Sequence, residues 1–329
     1  MNRLDQIREK LKAQQNKGNN SNFNRDNTVF PHWKIQDDSA VTVRFLPDGN
    51  PDNIFFWVEK QVINLPFHGI KGRDYNDTVV VQVPCLDMWK PKSCPITQEI
   101  SPWFSTDLDA TARTYWKKRS YLFQGFVINN DLEDEESRPE NPIRRFILSK
   151  SLFKIVQESL LDSDSFDDLP TDYENGVNFK IKKTKSGQYA DYTTSGWDRR
   201  ESALTEDQLR AIDTHGLFNL SDFLPSRPND DQVDIIFDMF KASLDGQAYD
   251  VDRWKDHFKP WNLDQILNDV AIEPTSSSDV DNGDSTVDDD DEDVATAKND
   301  TVPEPAPANV KQNTADLLEQ LRNRAKSSS

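Results

Sequence analysis

Between Thr114 and Phe123 the chain interleaves rings and cations: Tyr115, Trp116, Lys117, Lys118, Arg119, Ser120, Tyr121 and Phe123. Cationic side chains neutralise phosphates, and aromatic faces stack on unpaired bases at about 1–3 kcal/mol each. A single strand of nucleic acid offers both partners at once. Read as a strand, the stretch puts Arg119, Tyr121 and Phe123 on one face and Leu122 and Phe126 on the other. The competing reading is a sheet whose aromatics all pack inward, with its lysines merely solvated.

A second cluster has the same character. Val177-Asn-Phe-Lys-Ile-Lys alternates, so Val177, Phe179 and Ile181 face in while Lys180 and Lys182 face out. Ser186-Gly187 then turns the chain, Lys183 and Lys185 precede the turn, and Tyr189 and Tyr192 follow it. Arg144-Arg145 supplies a third basic patch on a β-type segment. The whole chain carries a formal charge of −19, so three basic patches on β segments stand out from composition. Sequence-independent phosphate binding accounts for them.

Metal chemistry is the other possibility. His68, Cys85 and Cys94 lie at loop-scale spacing, and a zinc site takes about four ligands in tetrahedral geometry. Thr97 stands where a C-x-x-C pattern would put its second cysteine. The alternatives are Zn²⁺ held by His68, Cys85 and Cys94 with water, Asp87 or Glu99 as fourth ligand, or two buried free thiols. His32, His215 and His257 have no partner pattern and read as structural. Phosphate-loop, nucleophile-elbow and H-E-x-x-H signatures are absent. The acidic clusters that a two-metal nuclease would need fall on loops or near the carboxy terminus.

The elements that must carry these residues read as β-rich first and helical later. Val41–Leu46, Ile54–Ile63, Thr78–Val83, Arg119–Ile128, Ile143–Leu148 and Val177–Lys182 are strand-like, with a hairpin return over Gln188–Thr194. Helix signals fall at Leu152–Leu161, at Thr205–Thr214 before Gly216, and at Asp230–Leu244 before Gly246. Short strands separated by long loops predict a small, partly open β-barrel with helical additions, an α+β arrangement of OB-fold type.

Composition sets the boundaries. The 329 residues include only 35% hydrophobics, too few to pack the whole chain. From Asp279 to Asp300 there are ten acidic residues against one lysine, followed by Pro303, Pro305 and Pro307. This predicts a disordered acidic tail over 275–329, ending in a short stripe of Leu317, Leu318 and Leu321. Such a polyanion would compete for the basic patches. Residues 1–27 form a basic arm, with Leu4, Ile7 and Leu11 at helical spacing and a polar joint behind them. The body is then 28–274, with 65–105 as an embedded loop subdomain that includes the zinc candidates. No apolar run reaches the ~20 residues of a membrane helix, and the amino terminus lacks a signal-peptide core. Two cysteines exclude a disulfide-dense scaffold. The expectation is a soluble intracellular protein.

The order of Trp33-Lys-Ile, Val43-Arg-Phe-Leu-Pro, His68-Gly, Cys85, Ser93-Cys-Pro, Lys117-Lys-Arg-Ser-Tyr and Gly176-Val-Asn-Phe-Lys through Tyr192 resembles a known family. It is similar to the single-stranded DNA-binding, helix-destabilising proteins of T-even-type tailed bacteriophages, across about half the chain. The resemblance implies an OB-fold core with a zinc subdomain, and a cleft for single-stranded DNA. It implies cooperative self-association through the amino-terminal arm, and recruitment of replication and recombination proteins by the acidic tail. It places Lys117, Lys118, Arg119 and Ser120 at the family's basic-plus-hydroxyl motif. Tyr121 and Tyr192 fall at cleft aromatics, and His68, Cys85 and Cys94 at three zinc ligands. It implies a protein without enzymatic activity, working on phage DNA in the cytoplasm of the infected bacterial host and away from membranes. Two other readings compete: an acidic assembly protein acting through its tail, and a metal-dependent nuclease.

Overall fold

A computed structural model describes residues 27–129, 139–162, 164–186 and 189–269. The basic arm apart from its last residue, most of the acidic loop after residue 130, and the tail with its leucine stripe lie outside the described residues.

Eight antiparallel strands make one sheet: β1 (Ser39–Phe45), β2 (Trp57–His68), β3 (Thr78–Pro84), β4 (Lys118–Asn129), β5 (Arg144–Ser149), β6 (Val177–Ser186), β7 (Tyr189–Asp191) and β8 (Gly196–Glu201). Their order is β3-β2-β4-β1-β6-β7, with β5 beside β4 and β8 beside β6. The path does not close on itself, consistent with the open, OB-like α+β arrangement expected from the sequence. The helices are α1 (Pro95–Ile100), α2 (Asp109–Tyr115), α3 (Lys150–Leu161), α4 (Glu206–His215), α5 (Asp230–Leu244), α6 (Val251–Trp254) and α7 (Leu263–Asp269). Thr205 and Asn229 begin α4 and α5 with full capping boxes, closed by Gln208 and Gln232.

Strand β2 is long enough to serve two cores. Its first half pairs with β4 from Trp57↔Phe123 to Val62↔Lys118, and its second half with β3 from Val62↔Pro84 to His68↔Thr78. Around the first half, Phe45 meets Phe123 at 4.7 Å and Phe179 at 5.6 Å between ring centroids, within a cluster that includes Phe146 and Tyr121. Around the second half, Ile63, Leu65 and Phe67 alternate inward and meet Val79, Val81 and Val83 of β3. Helices α2, α5 and α6 complete this second core with Tyr115, Phe240 and Trp254. Period-2 burial on both strands is what fixes their register.

Arg44 is a buried cation, only 1% exposed. It donates to the carbonyl oxygens of Asp172 (2.8 Å) and Ser202 (2.7 Å), tying two loops to β1. Gly176 lies so close that an added Cβ would sit 2.4 Å from Arg44 Nη2, so only glycine fits there.

Candidate nucleic-acid interface

The Thr114–Phe123 cluster does not form one continuous strand. Tyr115 closes α2, and β4 starts only at Lys118. Tyr115 is buried, its ring edge-on to Phe240 at 5.2 Å and its hydroxyl 3.1 Å from Ser243 Oγ. Trp116 is partly buried against Phe104. Tyr121 and Phe123 face inward as one strand face should, but into the first core. Tyr121 lies flat on Phe153 with centroids 3.6 Å apart. These four rings therefore pack against protein, which corrects the expectation that they offer a stacking surface.

The cations of the same cluster divide. Lys117 reaches Asp87 at 3.1 Å, and its side chain is 14% exposed. Arg119 is paired with Glu59 at 3.5 Å across the β2–β4 ladder. Lys118 is exposed and has no ion pair with a described residue, and Ser120 lies between Lys60 and Ser149. Lys118 and Ser120 alternate outward, on the face of β4 opposite to Tyr121.

The expectation for Arg144-Arg145 is also corrected. Both are buried, because the chain before β1 crosses over them. Arg145 Nη2 donates to Thr28 Oγ1 at 2.6 Å, and its guanidinium stacks 3.5 Å over the Phe223 ring. Arg144 stacks 5.5 Å over Phe30. They anchor residues 28–30 to β5, and their donors are spent on protein.

On β6 the predicted alternation holds. Val177, Phe179 and Ile181 are buried, Lys180 is exposed and Lys182 partly so. Lys183 and Lys185 lie on the other face, where both pair with Asp37, at 3.6 Å and 2.6 Å. The pairing holds the Asp37 carboxyl below its ordinary range, chiefly through the hydrogen bond from Lys185. Tyr189 is 64% exposed at the hairpin, whereas Tyr192 is buried beside the ring of His32. Among the described residues neither ring nitrogen of His32 has a hydrogen-bond partner, and burial lowers its pKa to about 4.

Three features of this surface were not read from the sequence. Arg199 and Arg200 are exposed on β8, directly beside β6. Phe55, 51% exposed, leans on Trp57 at 4.8 Å and offers a ring face before β2. Lys60 sits on the outward face of β2 opposite Ser120. The signal for the arginines was the dibasic step after Trp197, in a strand too charged to show apolar alternation.

The metal candidates do not assemble. Cys85 N–H donates to Gln61 O, whereas His68 lies seven residues further along the same strand, roughly 20 Å away at about 3.3 Å per residue. The two thiols are neighbours, and each is buried. Thr97 gives its hydroxyl to Asp87 Oδ2 (3.1 Å), and Asp87 Oδ1 accepts the N–H groups of Ser93 and Cys94 (each 3.0 Å). Asp87 is thus engaged by four donors counting Lys117, and Glu99 is exposed on α1. Among the described residues no group of three or more His, Cys, Asp or Glu is placed to hold a metal ion. Two adjacent thiols do not complete a four-ligand structural site, so the expected set does not fit zinc.

The surviving elements are cations and rings on outward strand faces: Lys118 with Ser120 on β4, and Lys180, Lys182, Arg199 and Arg200 on β6 and β8. Among the described residues, Tyr189 is an exposed ring at the β6–β7 hairpin and Phe55 is one before β2. Such an arrangement can hold phosphates and stack bases, and it has no nucleophile–base pair for covalent chemistry. A family model described as gp32 DNA binding protein like matches residues 37–234, well over half of the 329 in the chain. No match is found among curated proteins.

Proposed function

Because the chain belongs to the gp32-like family of DNA-binding proteins, we propose that it binds and coats single-stranded DNA without reading its sequence and without catalysing a reaction on it. The observation that carries this reading is the outward pair Lys180 and Lys182 on β6, flanked by Arg199 and Arg200 on β8 and by the exposed ring of Tyr189. None of these four cations has an ion pair with a described residue, whereas Lys117, Arg119, Lys183 and Lys185 are each held by a carboxylate. Free cations take phosphates, and an exposed ring takes a base only where that base is unstacked. Duplex DNA offers the first partner and withholds the second.

The rest of the chain fits the same role. The basic arm 1–27 would link neighbouring copies along the strand. The acidic tail 275–329 would recruit replication and recombination proteins and compete with DNA for the cationic strands. These assignments rest on charge, position and the family resemblance; on this reading the protein would work in phage DNA replication, recombination and repair in the host cytoplasm.

Competition tests the reading. A fluorescent oligo(dT) bound to the full chain should be displaced by unlabelled single strands of mixed sequence at similar concentrations, and by duplex of equal length only at far higher ones. Equal competition by duplex would reject single-strand binding, and strong dependence on base sequence would reject a coating role.

A further inference from the structure

The face of β2 turned away from the second core carries a pocket. Lys60 and Val62 point to it from β2, and Gln82 and Pro84 join them from β3. Pro225, Ser226 and Pro228, together with Phe258, wall it on the side of α5. Its volume is about 300 Å³, the lower end of the range for sites that enclose a small ligand, roughly 300–1,000 Å³.

Its chemistry is one-sided. The Lys60 side chain has no hydrogen bond or ion pair with a described residue, and burial lowers its pKa. No described carboxylate lines the pocket, in a chain with 58 acidic residues. Gln232 spends its Oε1 on the N–H of Asn229 (3.1 Å), so only its NH₂ group remains to meet a ligand. Gln82 and the Ser226 hydroxyl add further donors, and Arg227 is exposed between Ser226 and Pro228. An unpaired ammonium among amide and hydroxyl donors is an oxyanion site. Pro225, Pro228 and Phe258 are apolar, so what accompanies the anion must tolerate a ring or sugar face rather than water.

The pocket also continues in one direction. Across the β2–β4 ladder Lys60 faces Ser120 and Val62 faces Lys118, so Lys118 and Ser120 share its face. Diagonal neighbours on a strand pair are about 7–8 Å apart, which gives two cations in succession along one line. A free small anion needs only the first.

The geometry points to this pocket as a phosphodiester site, in which Lys60 holds one backbone phosphate of a nucleic-acid strand whose next phosphate passes Lys118. This inference rests on the proposed binding of single-stranded DNA and assigns it a residue. Lys60→Gln, Lys60→Met and Lys60→Arg variants of the full chain, titrated with oligo(dT) over a salt series, test it. The expected result is about tenfold weaker binding at low salt for Gln and Met. Their log K against log salt slope should be shallower by about 0.7, one phosphate on a single strand. Arg should restore both.

A second measurement guards against misfolding of those variants. In the unmodified chain, oligo(dT) should protect Lys60 from acetylation, and inorganic phosphate at the same phosphate concentration should not. Equal protection by inorganic phosphate would overturn the strand assignment in favour of a free anion. Wild-type binding with unchanged affinity and slope in the Gln and Met variants would overturn the role of Lys60 while leaving single-strand binding intact. A wild-type chain that fails to bind oligo(dT) would overturn the underlying reading itself.

Discussion

Lys117 Nζ lies 3.1 Å from Asp87 Oδ2, with side-chain exposures of only 14% and 8%. Asp87 belongs to the turn after β3 and Lys117 to the residue before β4, so the pair fastens the loop region to the strand that carries Lys118 and Ser120. Burial alone would raise the Asp87 carboxyl, but the Cys94 N–H, Lys117 and the Thr97 hydroxyl outweigh it and hold it below its usual range. Asp87→Ala leaves an ammonium and two N–H groups without their acceptor, while the Thr97 hydroxyl keeps Cys94 O at 3.1 Å. Breaking a buried pair this way costs about 3–5 kcal/mol. Urea denaturation of Asp87→Ala should show a loss of that order, and an unchanged midpoint would remove the pair's structural importance.

The same network bears on zinc. Thr97 is bonded to Asp87 and His68 lies at the far end of the β2–β3 ladder, so hydrogen bonds alone can hold the loop. Protein purified without chelator should unfold at the same temperature before and after dialysis against EDTA. A drop of several degrees, restored by one equivalent of Zn²⁺, would show that the two thiols recruit ligands in another arrangement.

Two tyrosines that look alike in sequence should separate experimentally. Tyr121 is stacked on Phe153 inside the first core, so Tyr121→Ala should cost about 3–5 kcal/mol of stability, the usual penalty for removing a buried ring. Tyr189 is exposed, so Tyr189→Ala should leave the melting temperature unchanged and weaken oligo(dT) binding by about 1–3 kcal/mol. The reverse pattern would exchange their roles.

His32 gives the fold a defined acid sensitivity. Its ring is buried without a hydrogen bond to a described residue, and burial lowers its pKa from 6.5 to about 4. Above pH 6.5 the ring is neutral whether folded or unfolded and has no effect on the balance. As pH falls from 6.5 towards 4 the unfolded chain takes up a proton that the folded chain refuses, so stability drops by about 3 kcal/mol across that window. Below pH 4 this loss levels off. His32→Phe should flatten that part of the stability–pH curve; a variant with the wild-type curve would assign the drop to other groups.

Much of the framework was legible because it is periodic or punctuated. The alternation of Val177, Phe179 and Ile181 with Lys180 and Lys182 survives intact. Helix α5 matches its expected span, Asp230–Leu244, between the Asn229 cap and the turn at Gly246. What could not be read depends on distant partners. Arg144 and Arg145 look like a surface patch until Thr28, Phe30 and Phe223 cover them. Tyr115 sits in a cluster that reads as strand but ends α2, a helix of seven residues too short to show a stripe. His68, Cys85 and Cys94 have plausible loop spacing, yet the register of β2 on β3 extends the chain between them. Register is a property of the folded pair and is invisible in spacing.

Salt dependence tests the central claim most directly, since binding by unpaired cations must release counterions. The affinity of the full chain for oligo(dT) should fall linearly as log K against log salt. Replacing Lys180 and Lys182 together with alanine should make that slope shallower by about 1.4, two phosphates at roughly 0.7 each. A flat salt response in the unmodified chain, or an unchanged slope in the double variant, would contradict single-strand binding through this face.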